Sequence, residues 1–127
     1  MKIADFYEEL WAPSYGPPRG SIRDHLSPGP YEDEQQVLRY LRAGHLLFSA
    51  MGSSQDVLGS GRSVLGGDSV YSDGEWMWRG DLWFYVRTHH LTLPDEFLRE
   101  IREAGYFMTP EDTDRLAALS AYVADRW

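Results

Sequence analysis

The sequence predicts a small α+β domain, a short antiparallel sheet with an Asp-Gly hairpin packed against about four to five helices. Three observations predict it. Apolar residues recur with helical period in five segments, two short apolar runs are bounded by glycine, and Asp73-Gly74 separates two candidate strands. The 127 residues suit one domain, and 43% hydrophobic content supplies a core.

The elements follow in order. Ile3, Phe6, Tyr7, Leu10 and Trp11 fall on one face of a helix over 3–11, which Pro13 ends. Residues 12–30 contain eight Pro or Gly and read as a loop over the core, with a short helical turn at 21–26. A second helix spans 31–43, its acids Glu32, Asp33 and Glu34 suiting a positive helix start and Val37, Leu38 and Leu41 its buried face. Residues 45–51 read as a buried strand, and 62–65 as a short one after a glycine-rich stretch.

Asp73-Gly74 is a type I′ turn signal flanked by 69–72 and 75–78. Trp76 and Trp78 then share one strand face, Glu75 and Met77 the other. Asp81 is placed to cap a helix over 82–90 with Leu82, Tyr85, Val86 and His89 inward. Pro94, Asp95 and Glu96 open a fourth helix with Phe97, Leu98, Ile101 and Ala104 on its apolar face and Gly105 at its end. Thr109, Pro110 and Asp112 open a fifth, with Leu116, Leu119, Val123 and Trp127 on one stripe.

Net charge is −8, which disfavours nucleic acid and anionic lipid and favours a basic partner. Eleven of the twelve basic residues are arginine, a bias that composition alone does not tie to structure. No cysteine is present, so disulfides, thiolate metal sites and a cysteine nucleophile are excluded. The first residues resemble no signal peptide and no run approaches a membrane span, so a cytoplasmic location is expected.

Motifs for catalysis are weak. Helical neighbours such as His89 and His90 point about 100° apart and do not grip one metal ion easily, so one is expected at the core and one at the helix end. Arg79-Gly80-Asp81 matches the integrin tripeptide, but it joins a strand to a helix. The glycines of 59–67 lack phosphate-loop spacing, and no serine sits in a nucleophile elbow. No catalytic residue, metal or cofactor is expected. Acids gather at helix starts, seven of them between Asp95 and Arg115. Apolar residues nearly encircle 82–86, which leaves Trp83 or Phe84 for a second core layer or, beside the acids, for a partner's surface.

The run DGEWMWRGDLWFYVRTHHLTLPDEFL, about a fifth of the chain, resembles a signature, roughly DGxWxWxxDLxYYVxxYxxxLPxEF, of small uncharacterised actinobacterial proteins. Phe84 stands where tyrosine is common in that signature, and His89 where an aromatic is common. In size, acidity and single-domain build these proteins are similar to immunity proteins of bacterial toxin systems. That analogy implies a non-enzymatic inhibitor whose acidic face covers a basic toxin. The expected contact residues are Trp83, Phe84, Glu75, Asp95, Glu96, Glu100 and Glu103. Two alternatives stand beside it. One is a small-molecule binder or enzyme of unrecognised type, with Trp76, Trp78 and 59–67 lining a pocket; the other is a homodimeric interaction domain.

Overall fold

A computed structural model describes residues 2–126. In chain order the described residues form β1 (Lys2–Ile3), α1 (Glu34–Arg42), β2 (His45–Phe48), β3 (Ser53–Gln55), β4 (Ser63–Leu65), β5 (Val70–Ser72), β6 (Trp76–Arg79), α2 (Leu82–His89), α3 (Asp95–Glu103) and α4 (Thr113–Arg126). Short 3-10 turns occupy Pro13–Tyr15 and Ile22–His25. The fold is a small single-domain α+β, with one four-stranded sheet in the order β1-β6-β5-β2 and a separate β3–β4 ribbon.

The sheet is mixed rather than purely antiparallel, because β1 runs parallel to β6 with Lys2 opposite Trp76 and Ile3 opposite Met77. This pairing also overturns the expected helix over 3–11. Its backbone donors are engaged elsewhere: Ala4 N–H donates to Met77 O, Tyr7 N–H to Asp5 O and Glu8 N–H to Gly20 O. The predicted apolar residues are nonetheless inside, with Ile3, Tyr7, Leu10 and Trp11 buried. A burial pattern with spacings of three and four was satisfied by a strand followed by tight turns, which the pattern alone does not distinguish from a helix.

β5 and β6 pair antiparallel with Ser72 opposite Met77, so the connection is longer than the two-residue Asp-Gly turn. Asp73 does not adopt positive φ; only Gly74 does, at 99°. The Asp73 carboxylate accepts from the N–H groups of Glu75 and Trp76 at 2.9 and 2.8 Å, which stabilises this wider turn. Trp76 and Trp78 do share a face. Their rings lie 5.0 and 5.4 Å from Phe97 of α3, and the Trp78 indole N–H donates to Leu41 O at the end of α1. Gly80 follows at a point where a Cβ would sit 2.6 Å from Gly66 O, so only glycine lets the two segments meet.

The remaining helices differ from expectation mainly at their starts. α1 begins at Glu34 with Asp33 at its N-cap, and Arg102 Nε and Nη2 donate to the two Asp33 carboxylate oxygens at 2.9 and 3.0 Å. α3 buries Phe97, Leu98 and Ile101, is followed by Gly105 in the left-handed region, and leaves its C-cap Ala104 exposed. α4 begins at Thr113 rather than Pro110. The Asp112 carboxylate accepts from Arg115 N–H, while Thr109 O contacts His45 Nε2. Leu116, Leu119 and Val123 are buried as expected; Trp127 lies outside the described residues. The 12–30 loop packs on the core through Tyr15 and Ile22. No helix among the described residues is long and apolar enough to cross a membrane.

Candidate functional site

α2 is apolar nearly all round. Leu82, Phe84, Tyr85 and Val86 are buried, and Trp83 is half-buried. Phe84, 6% exposed, packs into the core and reaches the surface only in the lining of one concavity. Trp83 is the more exposed of the two rings.

α1 packs against α2 and brings Arg42 over the Trp83 indole, with the guanidinium carbon 4.7 Å from the ring centroid. Arg39 lies one turn earlier on α1, and Arg87 one turn after Trp83 on α2. Two concavities of about 570 and 660 Å³ meet here. Both are lined by Arg42, Trp83 and Arg87; Arg39 lines the first, and Arg62 to Leu65 line the second. A smaller hollow of about 180 Å³ joins them between Trp83, Trp78 and Gly66. None of Arg39, Arg42, Arg62 and Arg87 forms a salt bridge among the described residues. Leu65, on the rim, is 83% exposed.

The acids expected to form the contact face are more occupied. Lys2 Nζ donates to Glu75 at 3.0 Å and to Glu96 at 2.8 Å. Glu100 accepts from the Trp76 indole at 2.6 Å, and Glu103 lies 3.9 Å from Arg99. Asp95 is exposed.

The ribbon β3–β4 is tied over α2 by polar anchors. Ser54 Oγ donates to Asp81 at 2.9 Å, and Val57 N–H donates to the Tyr85 hydroxyl at 3.0 Å. His89 Nε2 lies 2.6 Å from Asp56 Oδ2, and the same carboxylate accepts from Leu58 and Ser60 N–H. His89 is thus a tether between helix and ribbon. His90 ends α2 in the left-handed region, its N–H donating to Tyr85 O.

Below the ribbon lies a buried charge cluster. Arg79 Nε and Nη2 donate to both oxygens of Asp81 at 3.0 and 2.9 Å, Nη2 also to Asp68 at 2.6 Å, and Nη1 to Leu10 O at 2.6 Å. The Asp81 side chain therefore serves Arg79 and Ser54 rather than capping α2, and at 1% exposure it is closed to an integrin-type contact. Asp5 accepts from Trp11 Nε1–H and Arg79 N–H, both at 3.1 Å. Burial, together with the neighbouring Asp81 charge, pushes its pKa up to about 7. Burial works against the Arg79 charge, but Asp81 outweighs it and holds the proton firmly.

Trp76 and Trp78 are core residues. Trp78 reaches only the floor of the small hollow, and Trp76 lines none of the concavities described. The Arg39/Arg42/Arg62/Arg87 cluster was not anticipated. Arg39, Arg42 and Arg87 were readable locally by their helical spacing, but Arg62 arrives from a ribbon whose placement depends on Ser54 and Asp56. No protein-family model, curated protein or solved structure matches the chain.

Proposed function

We propose that this chain is a non-enzymatic protein-binding domain of the immunity-protein kind, which neutralises a cognate toxin by covering its working surface through the face around Trp83. The observation that carries the reading is four arginines, without ion pairs among the described residues, gathered around a half-buried tryptophan in a chain of net charge −8. Arginine and tryptophan are the residue types that dominate binding hot spots, and the apolar Leu65 rim extends the patch. Such a face suits an acidic surface on the partner. This reverses the polarity that net charge alone suggests.

A second reading keeps Glu75, Asp95, Glu96, Glu100 and Glu103 as the contact face for a basic toxin. It is favoured by the exposure of Glu75, Asp95, Glu96 and Glu103. Most of these acids already have internal partners, though exposed pairs of this kind are weak and exchangeable.

A quantitative pull-down separates the two, with products of neighbouring open reading frames as prey. Baits are the native chain, Arg42→Glu/Arg87→Glu, and Asp95→Lys/Glu103→Lys. The proposal expects a retained product that the arginine variant loses and the acid variant keeps. Loss on the acid variant alone supports the basic-toxin reading, and retention of no product overturns both.

A further inference from the structure

We infer that the groove beside Trp83 takes an extended, carboxylate-bearing segment of a partner protein, which adds as a strand to the free edge of β4. The inference rests on the binding face proposed above and specifies how that face is used.

Backbone pairing is the first observation. β4 has one neighbour, β3, with Ser54 opposite Val64. Asp56 N–H donates to Arg62 O, and Gly66 N–H donates to Gly52 O. In an antiparallel ladder the bonded pairs alternate, so the polar groups of 62, 64 and 66 face β3. Those of Ser63 and Leu65 face the other way, toward an edge that no strand among the described residues covers. An exposed edge of this kind is a template for an added strand.

The groove is the second observation. Four consecutive residues, Arg62 to Leu65, line the 660 Å³ concavity, so it follows the strand rather than crossing it. Its other lining includes Trp83, Arg87 and Arg42 of the helices. A strand laid there sends alternate side chains toward these helices.

Charge selects the occupant. Among the described residues Arg42, Arg62 and Arg87 have no carboxylate partner, and arginine holds carboxylates bidentately. A nucleic-acid strand fits less well. Arg42 already lies over the Trp83 ring, which obstructs base stacking, and net charge −8 opposes a long run of phosphates. A segment with two or three carboxylates meets the local arginines without that opposition.

The test is an NMR titration of the full ¹⁵N-labelled chain with acetyl-Glu-Val-Glu-Thr-Glu-Val-amide. Controls are the lysine-for-glutamate peptide, a peptide N-methylated at alternate amides, and an oligothymidylate. The expected result is saturable shifts at the Ser63 and Leu65 amides and the Trp83 indole, with amide exchange at both residues slowed at least tenfold. Arg42→Glu/Arg87→Glu weakens binding at least tenfold, and the lysine and N-methyl peptides do not bind. Shifts at Trp83 without protection of Ser63 and Leu65 overturn strand addition while leaving the binding face intact. No binding of the acidic peptide at millimolar concentration, or tighter binding of the oligothymidylate, overturns the inference.

Discussion

Arg42 lies over the indole of Trp83 at 4.7 Å, and this contact joins α1 to α2 at the centre of the basic groove. The neighbouring residue on α2, Phe84, faces the core instead, in T-shaped contact with Tyr85 at 5.4 Å. Adjacent aromatics thus have separate tasks, and mutation tells them apart. Trp83→Ala is expected to lower stability by about 1–2 kcal/mol in urea melts, since it loses partial burial and one cation–π contact. Phe84→Ala is expected to cost about 3–5 kcal/mol, as core truncations of this size do. Equal costs contradict the assignment of one ring to the surface and the other to the core.

Arg79 and Asp81 form a bidentate pair under the ribbon, and removing one partner strands the other. Arg79→Met is expected to cost about 3–5 kcal/mol, because Asp81 is left buried without its counter-charge. Arg79→Met/Asp81→Asn is expected to recover part of that loss. Urea melts of the singles and the double close the cycle, and strictly additive losses contradict the pairing.

Two carboxylates set opposite slopes of stability against pH. Asp5, raised from 3.8 to about 7 by burial and by Asp81, holds its proton more tightly folded than unfolded. Its contribution is full below pH 3.8 and is lost as pH rises through 7. Asp33 is lowered from 3.8 to about 2 by the Arg102 hydrogen bonds, with burial opposing and the Tyr106 hydroxyl assisting. Its contribution is present above pH 3.8 and is lost as pH falls through 2. Glu9 and Asp56 are also lowered: burial opposes their ionisation, but hydrogen bonds from Ser21 and Ile22, and from Ser60 and His89, outweigh it. A melting-temperature maximum between about pH 4 and 5 follows. Asp5→Asn is expected to flatten the decline toward pH 7, and Asp33→Asn the decline toward pH 2. A maximum that stays at neutral pH contradicts both assignments.

Asp56 holds the ribbon turn and His89 together, so its loss is expected to act locally. In Asp56→Ala, hydrogen exchange is expected to accelerate across 53–65 while the β5–β6 amides stay protected. Uniform acceleration through the sheet contradicts a tether confined to the ribbon.

Much of the core was legible because it follows periodicity. Phe97, Leu98 and Ile101, or Leu116, Leu119 and Val123, are read directly from spacing. Residues 3–11 show where that reading fails: the buried residues were found, but β1 forms through a partner more than seventy residues away. Asp73-Gly74 marked a turn correctly in place but not in type, since the Asp73 carboxylate favours a longer loop. The proposed binding face was half legible. Trp83 stood out on an apolar helix, but Arg62 reaches it only through the ribbon anchored by Ser54–Asp81 and Asp56–His89. Net charge pointed to the acids because it averages over a surface whose arginines are unevenly placed.

A hydrogen-exchange footprint of the chain bound to its captured partner tests the central claim most directly. Protection is predicted at 39–42, 62–65 and 83–88, with 95–103 unchanged. Protection over 95–103 with no change beside Trp83 would contradict it.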